Sequence, residues 1–112
     1  MIVFASRAAA ALALVVCLAD PAAASDIAAG KKKAGECTPC HGPNGLAVAP
    51  DAPNIAGDSA YYLTAQLKAF RSGERKHEQM SIIAKGLSDE DIADLAAWFS
   101  AIEVKVTLPK VK

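Results

Sequence analysis

Apolar residues recur at helical spacing in two stretches of the second half of the chain. Tyr62, Leu63, Leu67 and Phe70 share one face, which predicts a helix capped by Asp58 or Ser59, running to about Arg71 and ended by Gly73. Ile92, Leu95, Ala96, Phe99 and Ile102 trace a second apolar stripe with Trp98 on its flank. Ser88 stands where it can cap that helix, and Asp89, Glu90 and Asp91 sit at the positive end of its dipole. An earlier segment, Asp26 to Cys40, is rich in Ala, Lys and Glu and predicts a first helix, weakened locally by Gly30 and Gly35. Gly30 precedes Cys37 by about two turns, so it shares that residue's face and lets another helix approach closely.

The connections carry little periodicity. Residues 42–57, GPNGLAVAPDAPNIAG, are crowded with Gly and Pro and read as a loop longer than usual connections, of the kind that wraps around something. Residues 73–87, GERKHEQMSIIAKGL, read as a second irregular stretch, charges first and apolar residues after. The tail EVKVTLPKVK alternates weakly, which suits a short edge strand, but Pro109 favours a disordered end. The expected fold class is all-α: three principal helices, two long loops, and a modest core that requires a staple.

The first residues follow another logic. Arg7 precedes the apolar run AAAALALVVCLA, the breaking pair Asp20-Pro21 and the small residues Ala22 to Ala24. This is the layout of a secretory signal peptide, its apolar run well short of the ~20 residues a membrane-spanning helix needs. The expected division is a signal peptide over 1–24 and one domain over 25–112, exported to the periplasm with no stable membrane insertion after cleavage. An uncleaved anchor is the alternative. Lipid attachment at Cys17 is disfavoured by the bulky Val16 before it.

Of the 112 residues, 12 are Lys or Arg and 12 are Asp or Glu. Cleavage removes one of each, Arg7 and Asp20, so the mature chain stays near neutral and nothing suggests a nucleic-acid partner. Cleavage also removes Cys17, leaving Cys37 and Cys40, two thiols too close for an unstrained disulfide in an oxidising compartment.

Those thiols belong to Cys37-Thr38-Pro39-Cys40-His41, a motif that implies covalent haem attachment: thioether bonds from both sulfurs and an adjacent imidazole for the iron. Zinc and a redox dithiol are the alternatives. Zinc would need further ligands from a pool in which His77 is the only other mature His or Cys. A dithiol oxidoreductase would carry an alternating strand and helix pattern around its motif. The second axial position falls to Met80, the one methionine of the mature chain, in the irregular stretch rather than on a helix stripe. His77 is its rival, but it lies in the hydrated run Glu74, Arg75, Lys76, Glu78, Gln79 and reads as an exposed histidine. A thioether ligand raises the reduction potential relative to a second imidazole.

Through CTPCH, PNIAG, YYLTAQLKAFRSGERKHEQM and LSDEDIADLAAWFS the chain resembles the short bacterial class I cytochromes c over nearly all of its mature length. The likeness is nearest the periplasmic branch that includes single-haem carriers, halves of two-haem cytochromes and haem subunits of flavin-containing sulfide dehydrogenases. The resemblance implies loops and helices wrapped around one haem c, with His41 proximal and Met80 distal. It further implies that the Pro53 carbonyl receives the imidazole N–H, that Ile55 packs on the haem face, and that Gly30 lets the first helix cross the last near Trp98 or Phe99. By themselves Pro53 reads as a turn residue and Ile55 as a core residue.

The expected function is a periplasmic single-electron carrier, not an enzyme, with redox partners such as a dehydrogenase, a membrane electron-transport complex or a terminal oxidase or reductase. The alternatives are a haem subunit of a dehydrogenase complex, for instance with a flavoprotein, and a haem sensor or enzyme with an open iron site. Lys31, Lys32 and Lys33 form the only dense basic run, either a docking patch or a solvated face.

Overall fold

The computed structural model describes residues 24–112, so the expected signal peptide, with Cys17, lies almost wholly outside the described residues. Within them the elements are α1 (Ile27–Lys33), a 3₁₀ turn (Ala34–Cys37), α2 (Thr38–His41), α3 (Ala60–Ser72), α4 (Met80–Lys85) and α5 (Asp89–Ser100), with no strand among the described residues.

The first helix is thus interrupted. Asp26 caps α1 through its side chain, accepting from the amides of Ala28 at 2.8 Å and Ala29 at 3.1 Å. The chain then tightens into 3₁₀ geometry before Pro39 enters the first turn of α2, where its missing N–H costs nothing. Gly42, at φ +75°, ends α2. The other helix ends follow the sequence reading. Ser59 caps α3 through the Tyr62 amide, Gly73 closes it in the left-handed region at φ +83°, and Ser88 and Asp91 form a reciprocal capping box on α5.

The interface of α1 with α5 is the most extensive in the fold, and α3 lies against both α4 and α5. Gly30 makes the first contact possible. A side chain there would overlap the Asp94 carbonyl oxygen and meet Trp98 Cβ at 3.0 Å, so the crossing lies at Trp98, as expected, and at Asp94 one turn before it. Asp94 is itself buried and accepts the Asp26 amide at 2.6 Å, tying the start of α1 to α5. At the opposite end, Arg71 joins α3 to the start of α5 through the Leu87 carbonyl at 3.1 Å and Asp89 at 2.5 Å. The core between them is small: Ala34, Leu63, Leu87, Ile92, Leu95, Ala96 and Phe99, with Cys37, Ile55, Leu67, Trp98 and Ile102 packed against it.

One expectation is corrected. The stretch 73–87 is not wholly irregular, because Met80–Lys85 forms a fourth helix, and Met80 is its first residue rather than a loop residue. Six residues are too few for a periodic apolar stripe to declare itself, and no Ser, Thr, Asn or Asp precedes the segment to mark its start. The long loop 42–57 is a loop as expected, but it is also ordered by its own hydrogen bonds. Val48 and Ala49 donate to the Cys40 carbonyl, Ile55 and Ala56 to the Gly45 carbonyl, and Ala47 to the Asn54 side chain at 2.7 Å. The tail beyond Ile102 takes no regular structure and stays exposed at Val106, Leu108 and Val111, so the edge strand does not form.

Candidate cofactor site

Beside this core the helices and the long loop enclose a cavity of about 530 Å³, inside the range of ~300–1,000 Å³ usual for cofactor and ligand pockets. All six residues singled out from the sequence, Cys37, Cys40, His41, Pro53, Ile55 and Met80, line it.

His41 is buried, and its Nδ1 lies 2.8 Å from the Pro53 carbonyl oxygen. A carbonyl can only accept, so Nδ1 carries the ring proton and Nε2 keeps a free lone pair. Pro53 acts through its main chain, and its ring stiffens the loop that presents that oxygen. The imidazole therefore has a defined tautomer and orientation, the arrangement that prepares a histidine to ligate a metal.

Cys37 and Cys40 are free thiols, both partly exposed, one turn apart. Burial, and then the charge of neighbouring Glu36, push the Cys37 thiol up to about 11, with Lys33 opposing them. A thiol so raised stays protonated at neutral pH, the reverse of the depressed value that activates an attacking cysteine in a dithiol oxidoreductase. The zinc alternative fares no better. Among the described residues no three His, Cys, Asp or Glu converge into a set that could hold a metal ion.

Met80 enters the same cavity from the start of α4, while Leu63, Phe70, Leu95 and Phe99 supply apolar wall from α3 and α5. The donor set fits a haem: two thiols one turn apart, one imidazole with its outer nitrogen occupied, one thioether, and an apolar chamber. Such a chamber in so small a domain is otherwise costly, since an unfilled void forfeits the dispersion contacts of its lining.

Several contributors were not singled out from the sequence. Gln79 brings its side-chain oxygen to 4.0 Å from the Cys40 sulfur, accepting from that thiol. Arg75 lies over the Phe70 ring at 4.6 Å from its centroid and donates to Gln66 at 2.7 Å, both residues lining the cavity. His77, weighed from the sequence as a rival ligand and read as exposed, is exposed to solvent and also lines the cavity. Arg75, His77 and Gln79 belong to a charged run whose composition says only that it is hydrated. Their placement follows from α3 and α4 folding back on each other.

The profile of the cytochrome c family matches residues 27–102, the whole of the helical body. The chain is similar to "Cytochrome c-554(548)" of Halomonas halodenitrificans, with 51% identity over 83 residues, 71% of this chain and 100% of that one. It is also similar to a "Thiosulfate dehydrogenase electron acceptor" of Stutzerimonas stutzeri, at 43% identity over 75 residues, 64% of this chain and 35% of that one. Among solved structures, reduced recombinant cytochrome c4 from Pseudomonas stutzeri superimposes with a TM-score of 0.68 and 36% identity, over 74% of this chain and 48% of the other. The chain thus spans the full length of the first relative and about half or less of the other two proteins. Sequence match, helical architecture and site chemistry agree, and the chain belongs to the cytochrome c family.

Proposed function

We propose that this chain is an exported single-electron carrier in which one haem c is held through Cys37 and Cys40, with His41 as proximal and Met80 as distal iron ligand. The observation that carries the reading is the convergence of an orientation-locked imidazole, a thioether and a thiol pair on one apolar cavity. Bound there, the haem supplies a one-electron ferric/ferrous couple.

The residues of the chain do the rest. Cys37 and Cys40 fix the cofactor covalently, so that a small core gains a permanent filling. His41 would ligate through Nε2, because the Pro53 carbonyl occupies Nδ1. Met80 would contribute a neutral, weakly donating sulfur, a ligand type that favours the reduced state and raises the potential. Leu63, Phe70, Leu95 and Phe99 exclude water and make the additional charge of the oxidised state less favourable, acting in the same direction. With His41 and Met80 both committed to the iron, no position would be left for a substrate, which supports a carrier rather than an enzyme or sensor.

Two observations bear on free carrier against complex subunit. A full-length match to a relative of 83 aligned residues supports a domain that works alone. The match to a protein named as the electron acceptor of a thiosulfate dehydrogenase supports a second reading, a dedicated acceptor for one dehydrogenase. Purification from the native source with or without a companion chain separates them.

The test of the site is the absorption spectrum of the oxidised holoprotein. Methionine ligation is expected to give the weak far-red sulfur-to-iron charge-transfer band, lost in Met80→Ala. A spectrum lacking that band, with carbon monoxide binding readily to the reduced protein, would replace the carrier reading by an open-site sensor or enzyme.

A further inference from the structure

Met80 opens a helix that lacks an ordinary cap. Gln79, in the N-cap position, has helical backbone angles of φ −92° and ψ −49° and makes no side-chain capping hydrogen bond. The first amides of any helix have no partner within it, and in a helix as short as Met80–Lys85 they are most of the donors.

His77 supplies what is missing. Its Nδ1 lies 3.2 Å from the Gln79 amide nitrogen and 3.2 Å from that of Met80. Amides donate, so Nδ1 accepts and the ring proton resides on Nε2. The contact copies the geometry of an Asp or Asn cap, whose side-chain oxygen reaches amides two and three residues on. The main chain of His77 is tied as well: its N–H donates to Ser81 Oγ at 3.0 Å, and its carbonyl accepts the Ser81 amide at 3.0 Å. His77 and Ser81 therefore close a clasp around Met80. Phe70 meets the imidazole edge-on, centroids 6.4 Å apart and planes at 74°, and so limits the ring's rotation.

We propose that His77 is a positioning residue for the distal ligand, its imidazole holding the Met80 amide and thereby setting the point from which the Met80 sulfur reaches into the cavity. The inference rests on the reading of Met80 as distal ligand. It assigns His77 a role different from that of rival ligand, because the ring's acceptor nitrogen is committed to the backbone.

The experiment uses the holoprotein and four variants: His77→Leu, which fills similar space without an acceptor, His77→Asn, which restores a capping oxygen, Ser81→Ala, and Met80→Ala as reference. The readouts are the thermal loss of the far-red charge-transfer band, far-ultraviolet circular dichroism on the same ramp, and the rate of carbon monoxide binding to the reduced protein. In His77→Leu the band is expected to fade at a temperature well below loss of helicity, and carbon monoxide to bind about fivefold faster, the factor that loss of one cap implies. His77→Asn is expected to restore both, and Ser81→Ala to shift both in the same direction as His77→Leu by less, which keeps the test open should His77→Leu fail to accumulate. Wild-type behaviour of His77→Leu, failure of the Asn rescue, or band and helicity lost together at a lowered temperature would each overturn the proposal. A band absent from the unsubstituted protein would instead overturn Met80 ligation itself, before any His77 variant is made.

Discussion

Gly30 in α1 and Gly35 in the 3₁₀ turn that follows it offer the same substitution twice with opposite expected outcomes. Glycine inside a helix costs about 0.5–1 kcal/mol relative to alanine. At Gly35 a new methyl group meets nothing within 4 Å, and the backbone is not in the left-handed region. Gly35→Ala is therefore expected to stabilise by up to about 1 kcal/mol. At Gly30 the methyl would overlap the Asp94 carbonyl oxygen, lie 2.6 Å from the Asp94 carbonyl carbon and 3.0 Å from Trp98 Cβ. The first two are main-chain atoms of α5 that no rotamer change can move, so α1 and α5 must separate along the largest helix contact of the fold. Overpacking of this kind costs about 1–3 kcal/mol. Strain on the hydrogen bond from Asp26 to the Asp94 carboxylate adds about 1 kcal/mol, roughly cancelling the propensity gain. The expected net loss is about 2 kcal/mol, which at an m-value of ~1–3 kcal/mol/M lowers the urea midpoint by about 1 M. Urea titration of both holoprotein variants, followed by circular dichroism, measures it. A Gly30→Ala midpoint equal to or above the unsubstituted protein's would refute close backbone approach as the reason for glycine there.

Ser88→Ala is expected to remove one half of the α5 capping box and lower stability by about 1 kcal/mol, read from the same urea titration. Ile92, fully buried, is expected to cost about 2–5 kcal/mol as Ile92→Ala, and a loss below 1 kcal/mol would mean the core closes over the void. Acid should weaken the fold through two carboxylates at the start of α5: the Arg71 hydrogen bond and charge hold Asp89 below its ordinary 3.8, and hydrogen bonds from Ser88 hold Asp91 below it. The unfolded chain then takes up protons first as pH falls, so stability present above about pH 4 declines below it, and Asp91→Asn flattens that dependence. The lysine run is no uniform patch, since Lys31 lies over the Trp98 ring at 5.5 Å and Lys33 pairs with Glu36 at 3.3 Å and Asp91 at 3.8 Å. Electron-transfer rate measured against ionic strength tests it, and a rate indifferent to salt removes these lysines from docking.

Local signals sufficed wherever one residue type does a job at a fixed offset. The α5 helix announces itself by Ser88 and Asp91 at one end and the stripe Ile92, Leu95, Ala96, Phe99 along its length, because capping and 3.6-residue periodicity are properties of the segment alone. CTPCH does the same for haem attachment, since both sulfurs and the imidazole lie within one or two turns. Gly30 could be suspected from sequence, but that its partner is the Asp94 carbonyl could not, because the register between α1 and α5 is set by packing across more than sixty residues. The contact of Pro53 with His41 depended on family resemblance for its reading and on the folded loop for its geometry. The α4 helix was hidden because its cap is an imidazole three residues ahead, held by Phe70 from another helix, a combination no local propensity encodes. The sequence by itself thus determined the covalent anchor and the strong helices. Tertiary structure decided how Met80 is held against the cavity, because that position depends on side chains that meet only after α3 and α4 have packed.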